Sequence, residues 1–272
     1  MSKPEYDDSI FPMSRRDVLK SGLATLTTLA AGGLSFASSL SAQTKESTSL
    51  APAFDTNSPK AFVYTELQLS IPFHLTPWRR INSELRRQQG LLNMTWLAGG
   101  GNDSFGGFYA FDSIENAQRF VTGYFLATGR KLGVAQTSRV FDATATAEAS
   151  YDLGSPYFGV ELKERPGAFV YTEVQISVPF TKAPWRKRNP VLKRQPGLLA
   201  KTWLSGLHTH TLGGIDVFDS LDHAHQFAID DFPKTAKRLN AAYSTRVFDA
   251  SVSEEASRQM DSPLYIKRSE YE

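Results

Sequence analysis

AFVYTELQLSIPF at 61–73 returns as AFVYTEVQISVPF at 168–180, and SRVFDA at 138–143 returns as TRVFDA at 245–250. One shift of 107 positions aligns everything between these ends without a gap, and 40 of the 83 pairs from Ala61 to Ala143 are identical. The chain therefore carries the same module twice. The period is too long for a solenoid unit, so each copy reads as a small domain in its own right. Residues kept in both copies report a shared fold or site, and residues that differ report divergence.

Inside one copy the first strand alternates cleanly. Val63, Thr65, Leu67, Leu69 and Ile71 share one face, and Phe62, Tyr64, Glu66, Gln68 and Ser70 share the other. Pro72 ends it. A short helix is expected next, with Thr76 as cap, Pro77 first, and Trp78, Ile81 and Leu85 on one side. In the second copy Asn189-Pro190 is expected to interrupt that helix. Strands are predicted at 91–98, 107–111 and 137–141. A second helix opens at Asp112-Ser113-Ile114-Glu115, which has capping-box spacing. The order β-α-β-β-α-β is the ferredoxin-like pattern, an α+β fold. Helices on one face of each sheet leave the other face bare. The two copies are thus expected to set their sheets face to face about a pseudo-twofold axis, as an intrachain dimer.

The flanks read differently. Residues 1–42 carry Ser14-Arg15-Arg16-Asp17-Val18-Leu19-Lys20, similar to a twin-arginine export signal, then a weakly apolar stretch and small residues suited to cleavage. This predicts handling by the Tat export machinery and a periplasmic location, with no membrane span in the mature protein. Residues 43–60 and 144–167 read as linkers and 251–272 as a tail. A net charge of +2 argues against nucleic acid as a partner, and the absence of cysteine excludes disulfides and thiolate chemistry. No Walker loop, dinucleotide fingerprint, Gly-x-Ser-x-Gly elbow or HExxH motif is present.

In the second copy Gln195-Pro196-Gly197-Leu198-Leu199-Ala200-Lys201-Thr202-Trp203, His210-Thr211-Leu212-Gly213-Gly214-Ile215-Asp216-Val217-Phe218 and Arg246-Val247-Phe248-Asp249 resemble the YdhR-type monooxygenase family. That family shares the dimeric α+β barrel of the antibiotic-biosynthesis monooxygenases. The resemblance implies an intrachain dimeric α+β barrel with a pocket for a small apolar ligand. It also implies chemistry drawn from a varied superfamily, in which relatives oxidise polycyclic phenols without flavin or metal, degrade haem or isomerise lactones. The first copy departs from the pattern. Gln89 stands for the proline, Met94 for the lysine, and Gly101-Asn102-Asp103 for His208-Thr209-His210.

Candidate site residues follow from both arguments. Tyr64, Glu66, Tyr171 and Glu173 form a polar row kept in both copies. A carboxylate between sheets would serve as a general base unless paired, and the structural alternative pairs Arg139 with Glu66 and Arg246 with Glu173. Trp96, Trp203 and Trp185 offer indole faces to a flat ligand, or else simply fill the core. His208 and His210 alternate on an extended segment, and His210 matches the family histidine before the Gly-Gly pair. Arg186 could hold an oxyanion. The expected function is an exported monooxygenase-like enzyme for a small apolar or aromatic substrate, without cofactor or metal. In that scheme His210 or Glu173 is the base, Arg186 or Tyr171 the oxyanion partner, and Trp203 the stacking surface. The alternatives are a periplasmic ligand-binding protein without turnover, a haem-binding protein, and a lyase or isomerase.

Overall fold

The computed structural model describes residues 58–265 except 70, 102, 103, 177 and 210. All of these belong to one of two units of the chain, Leu50–Glu272. The twin-arginine signal read at 1–42 lies outside the described residues, as do most of the linker after it and His210.

The first half runs β1 (Ala61–Leu67), α1 (Trp78–Leu85), β2 (Leu91–Ala98), β3 (Phe105–Phe111), α2 (Ile114–Phe120), α3 (Leu126–Leu132) and β4 (Gln136–Asp142). A π-turn at Val121–Phe125 joins α2 to α3. After α4 (Ala147–Asp152), the second half repeats the order: β5 (Ala168–Val174), α5 (Trp185–Leu192), β6 (Leu198–Ser205), β7 (Leu212–Phe218), α6 (Leu221–Gln226), α7 (Phe232–Arg238) and β8 (Tyr243–Asp249). A short α8 (Glu254–Arg258) follows. Each half is a four-stranded antiparallel sheet, ordered β2-β3-β1-β4 and β6-β7-β5-β8. These are two ferredoxin-like repeats.

The alternation of β1 decides the layers. Val63 and Leu67 pack with Trp78, Leu85 and Phe120 on the helix side. Phe62 and Tyr64 meet Phe169, Tyr171 and Phe248 between the sheets. Backbone bridges from Gly99 to Phe248 and from Phe141 to Gly206 join the ends of the two sheets, closing an eight-stranded barrel within one chain.

Three expectations need correction. Pro190 does not interrupt its helix, which runs through to Leu192. Proline removes a single i→i−4 bond from so short a helix, and the next bond, Lys193 N–H to the Asn189 carbonyl, is intact. Thr76 does not cap α1; Pro77 holds that position, and the Thr76 hydroxyl is buried without a partner. The stretches read as linker and tail carry α4 and α8, and they continue the repeat. Ser150, Ser155 and Pro156 match Ser257, Ser262 and Pro263 at the same shift of 107.

These two arms are exchanged between the halves. Ser257 Oγ accepts the Trp96 N–H at 2.9 Å, and the Met260 carbonyl accepts the Met94 N–H at 3.1 Å. In mirror fashion Ser150 Oγ accepts the Trp203 N–H at 2.9 Å, and the Leu153 carbonyl accepts the Lys201 N–H at 3.1 Å. The arm that follows each half thus lies along the outer strand of the other, satisfying backbone groups that would otherwise be orphaned. Among the described residues no helix is long and apolar enough to cross a membrane.

Candidate active site

The polar row kept in both copies lies where the halves meet. Tyr64 donates to Glu66 at 2.8 Å, and Tyr171 donates to Glu173. The ion pairs cross between halves, contrary to the pairing expected within each. Arg246 meets Glu66 at 3.3 Å and Arg139 meets Glu173 at 3.5 Å. The reason is geometric. Arg139 sits opposite Tyr64 on β4, and Arg246 opposite Tyr171 on β8, so each reaches across the interface to the carboxylate of the facing sheet. Burial first, and then the adjacent carboxylate, push both tyrosine hydroxyls well above their usual range. Glu66 also borders an open groove with Gln68, His225 and Arg246.

An apolar space lies elsewhere, between sheet and helices of the second half. A cavity of about 160 Å³ is lined by Val174, Trp185, Leu192, Trp203, Leu212, Phe227 and Phe232, with Thr172, Arg188 and Lys201 as its chief polar groups. Lys201 donates to Asp216 at 2.7 Å, and the two side chains are 4% and 0% exposed. Thr172 donates to the other oxygen of Asp216 at 3.2 Å, and Lys201 Nζ stands 4.8 Å from the centre of the Trp203 ring. Burial pulls the Lys201 ammonium below its usual range, with Asp216 opposing and Arg188 assisting. Arg188 is half-buried, is lowered by burial and by Arg238, and donates to Thr235 at 3.0 Å.

The first half shows why this cavity is one-sided. Met94 occupies the Lys201 position, Tyr109 the Asp216 position, Phe105 that of Leu212 and Ile81 that of Arg188. Tyr109 is buried, hydrogen-bonds Thr65 and packs against Phe120. Tyr109 and Phe105 are larger than Asp216 and Leu212, and Met94 and Ile81 carry no charge. Gly107 and Gly214 are the matched cradles. A Cβ on Gly107 would lie 2.4 Å from the Met94 methyl, and one on Gly214 would lie 2.2 Å from Lys201 Nζ. Glycine at 214 is thus what lets the lysine lie flat on β7.

Of the candidates read from the sequence, the structure brings Trp185 and Trp203 to this cavity. Trp96 is buried in the first half, and both indoles on the outer strands are tethered, Trp96 to Asn82 at 2.8 Å and Trp203 to Asn189 at 2.9 Å. Arg186 is exposed, paired with Glu148 at 2.9 Å and stacked on the outer face of Trp185. His208 is exposed at the β6–β7 turn with φ 59°. Tyr64, Glu66, Tyr171 and Glu173 do not line the cavity. Lys201, Asp216 and Arg188 were not singled out by sequence reasoning. Their signal was present as a difference between the copies.

Haem does not fit this cavity. Its lining holds no His, Met or Tyr to serve as an axial ligand, and the chain has no cysteine.

No protein-family model matches the chain, and no curated protein is similar to it. Three of the solved structures that are similar in fold illustrate the likeness. An anthrone oxidase-like protein is 15% identical with a TM-score of 0.43, covering 71% of this chain and 92% of its own. A monooxygenase-like protein from Listeria innocua is 9% identical with a TM-score of 0.39, over 71% and 96%. A heme-degrading enzyme from Listeria monocytogenes is 10% identical with a TM-score of 0.36, over 69% and 99%.

Proposed function

We propose that the second half is a small-molecule site for an apolar or aromatic compound of about one ring that carries an acidic hydroxyl. The buried Lys201–Asp216 pair at the edge of an apolar cavity carries this reading, because the first half has uncharged Met94 and Tyr109 at the two matching positions. Volume sets the ligand size. An engineered apolar cavity of about 150 Å³ holds benzene, and drug-sized pockets start near 300 Å³. Charge sets the ligand type. Lys201, Arg188 and Arg238 against Asp216 and Asp231 leave the site one positive charge in excess. Among apolar walls, that excess favours an oxyanion over a neutral hydroxyl.

The chemical reading is monooxygenase-like and free of cofactor. The site holds the conjugate base of a phenol or enol with its oxygen toward Lys201 and its ring between Trp203 and Phe227. The anion passes one electron to dioxygen, the radical pair recombines at carbon, and loss of water from the peroxide leaves a carbonyl. His210 remains the candidate acceptor for the substrate proton. Export by the twin-arginine route and work in the periplasm complete the proposal.

4-Nitrophenol tests it, because its phenolate absorbs visible light. Bound to the protein, it should appear as phenolate at a pH below its solution pKa, and Lys201→Met should abolish that shift. Oxygen uptake with single-ring hydroxyaromatics then separates an enzyme from a binding protein. A bound ligand that stays neutral would overturn the charge argument.

A further inference from the structure

An amine among apolar side chains, with a carboxylate already placed beside it, is equipped for covalent chemistry as well as for holding an anion. Lys201 lines the cavity, and its side chain is 4% exposed. Asp216 is fully buried and fixed on both oxygens, by Lys201 at 2.7 Å and by Thr172 at 3.2 Å. We propose that Lys201 captures small apolar aldehydes of about one ring as a protonated Schiff base, with Asp216 as its counter-ion. The inference rests on the cavity being open to a single-ring guest, as proposed above.

The step balances without an oxidant. Asp216 takes a proton from the Lys201 ammonium, and the free amine attacks the carbonyl carbon. The carbonyl oxygen takes up the proton released from nitrogen, which gives a carbinolamine. Asp216 returns its proton as the hydroxyl leaves as water, so that ammonium and aldehyde become iminium and water. The positive charge on nitrogen is the same before and after, so the buried pair is never broken for longer than the step itself. An isolated buried carboxylate would be costly, and the product avoids it. Apolar walls also oppose hydrolysis of the imine, which needs water at the same carbon. The first half cannot do this, since Met94 stands where the lysine is.

Benzaldehyde with sodium cyanoborohydride tests the full-length chain, because the reductant fixes an iminium as a benzylamine. The expected result is a benzyl adduct mapped by peptide mass spectrometry to Lys201, formed about tenfold or more ahead of exposed Lys187 at neutral pH. Leu212→Phe places the first half's residue in the cavity and leaves the ion pair intact. It should fold and lose the Lys201 adduct alone. If Lys201 is labelled no faster than Lys187, or Leu212→Phe labels like the parent, the inference is overturned. A chain that shifts 4-nitrophenol but gives no adduct refutes this step alone, and one that does neither refutes the pocket reading as well.

Discussion

The rings of Tyr64 and Tyr171 lie 3.9 Å apart, centroid to centroid, and 6° from parallel. They are the same residue of the duplicated module, 107 positions apart. A residue can stack on its own counterpart only where the pseudo-twofold axis passes. The polar row around them is therefore the seam that holds the halves together, with ion pairs crossing it from Arg246 to Glu66 and from Arg139 to Glu173.

That placement gives Glu173→Gln a definite outcome. The amide keeps an acceptor for Tyr171 and loses the charge that faces Arg139. Urea unfolding should show a loss of about 1–2 kcal/mol, the worth of a charge-assisted hydrogen bond. Affinity for 4-nitrophenol should stay the same. Lost affinity at unchanged stability would move the reacting base to this seam.

Lys201 and Asp216 call for a double-mutant cycle. Removing one partner of a buried pair leaves the other charged and unmatched, at about 3–5 kcal/mol. Lys201→Met or Asp216→Tyr alone should each show such a loss. Together they install the first half's pair, since Met94 and Tyr109 stand at these positions without charge, and most of the stability lost by either single change should return. Ligand binding should be absent in all three. Single and double variants whose losses simply add would show that the two side chains act independently.

The fold was legible because its signals are periodic and local. Alternation along 61–67 set which face meets the helices, whereas α2 opens one residue later than the Asp112–Glu115 spacing placed it, with Ser113 as the cap accepting the Asn116 N–H at 3.3 Å. The site was less legible because it depends on difference. Tyr64, Glu66, Tyr171 and Glu173 attract notice by being kept, but what two copies keep is first of all what joins them. Lys201 and Asp216 stand 15 residues apart on neighbouring strands and form a pair only when β6 and β7 align them in register. The arms were missed for a further reason. After Ala250 the identity between copies thins to Glu-Ala-Ser at 148–150 and 255–257 and Ser-Pro at 155–156 and 262–263, although each of those serines has a bonded partner on the opposite half.

Stability should pass through a maximum on the alkaline side. Burial lowers the folded pKa of Lys201, so between that value and its ordinary value near 10.4 the unfolded chain holds more protons, and stability rises with pH. Burial raises the tyrosines Tyr64, Tyr109, Tyr157, Tyr171 and Tyr265. Above about pH 10 the folded chain therefore holds the extra protons, and stability falls as pH climbs toward the folded values. Five tyrosines outweigh one lysine, so the fall should be the steeper limb. Melting temperature against pH should show both limbs, with tyrosinate absorbance appearing together with unfolding. In the Lys201→Met, Asp216→Tyr double variant the rising limb should vanish. Tyrosinate titrating freely before unfolding would mean that these hydroxyls are not held in the core.

The exchanged arms link assembly to the site, and two equivalent serines separate the effects. Ser257 Oγ holds the backbone of Trp96 in the half without the cavity, and Ser150 Oγ holds that of Trp203 beside Lys201. Both are fully buried, so replacing either with alanine leaves a backbone N–H without its acceptor, at about 1–3 kcal/mol. Ser257→Ala and Ser150→Ala should therefore unfold at similarly lowered urea concentrations. Only Ser150→Ala should weaken 4-nitrophenol binding, because the Leu153 carbonyl of the same arm also fixes the Lys201 N–H, and a loosened arm lets the floor of the cavity shift. Equal losses of binding in both variants would mean that the cavity responds to overall stability and not to the arm that crosses it.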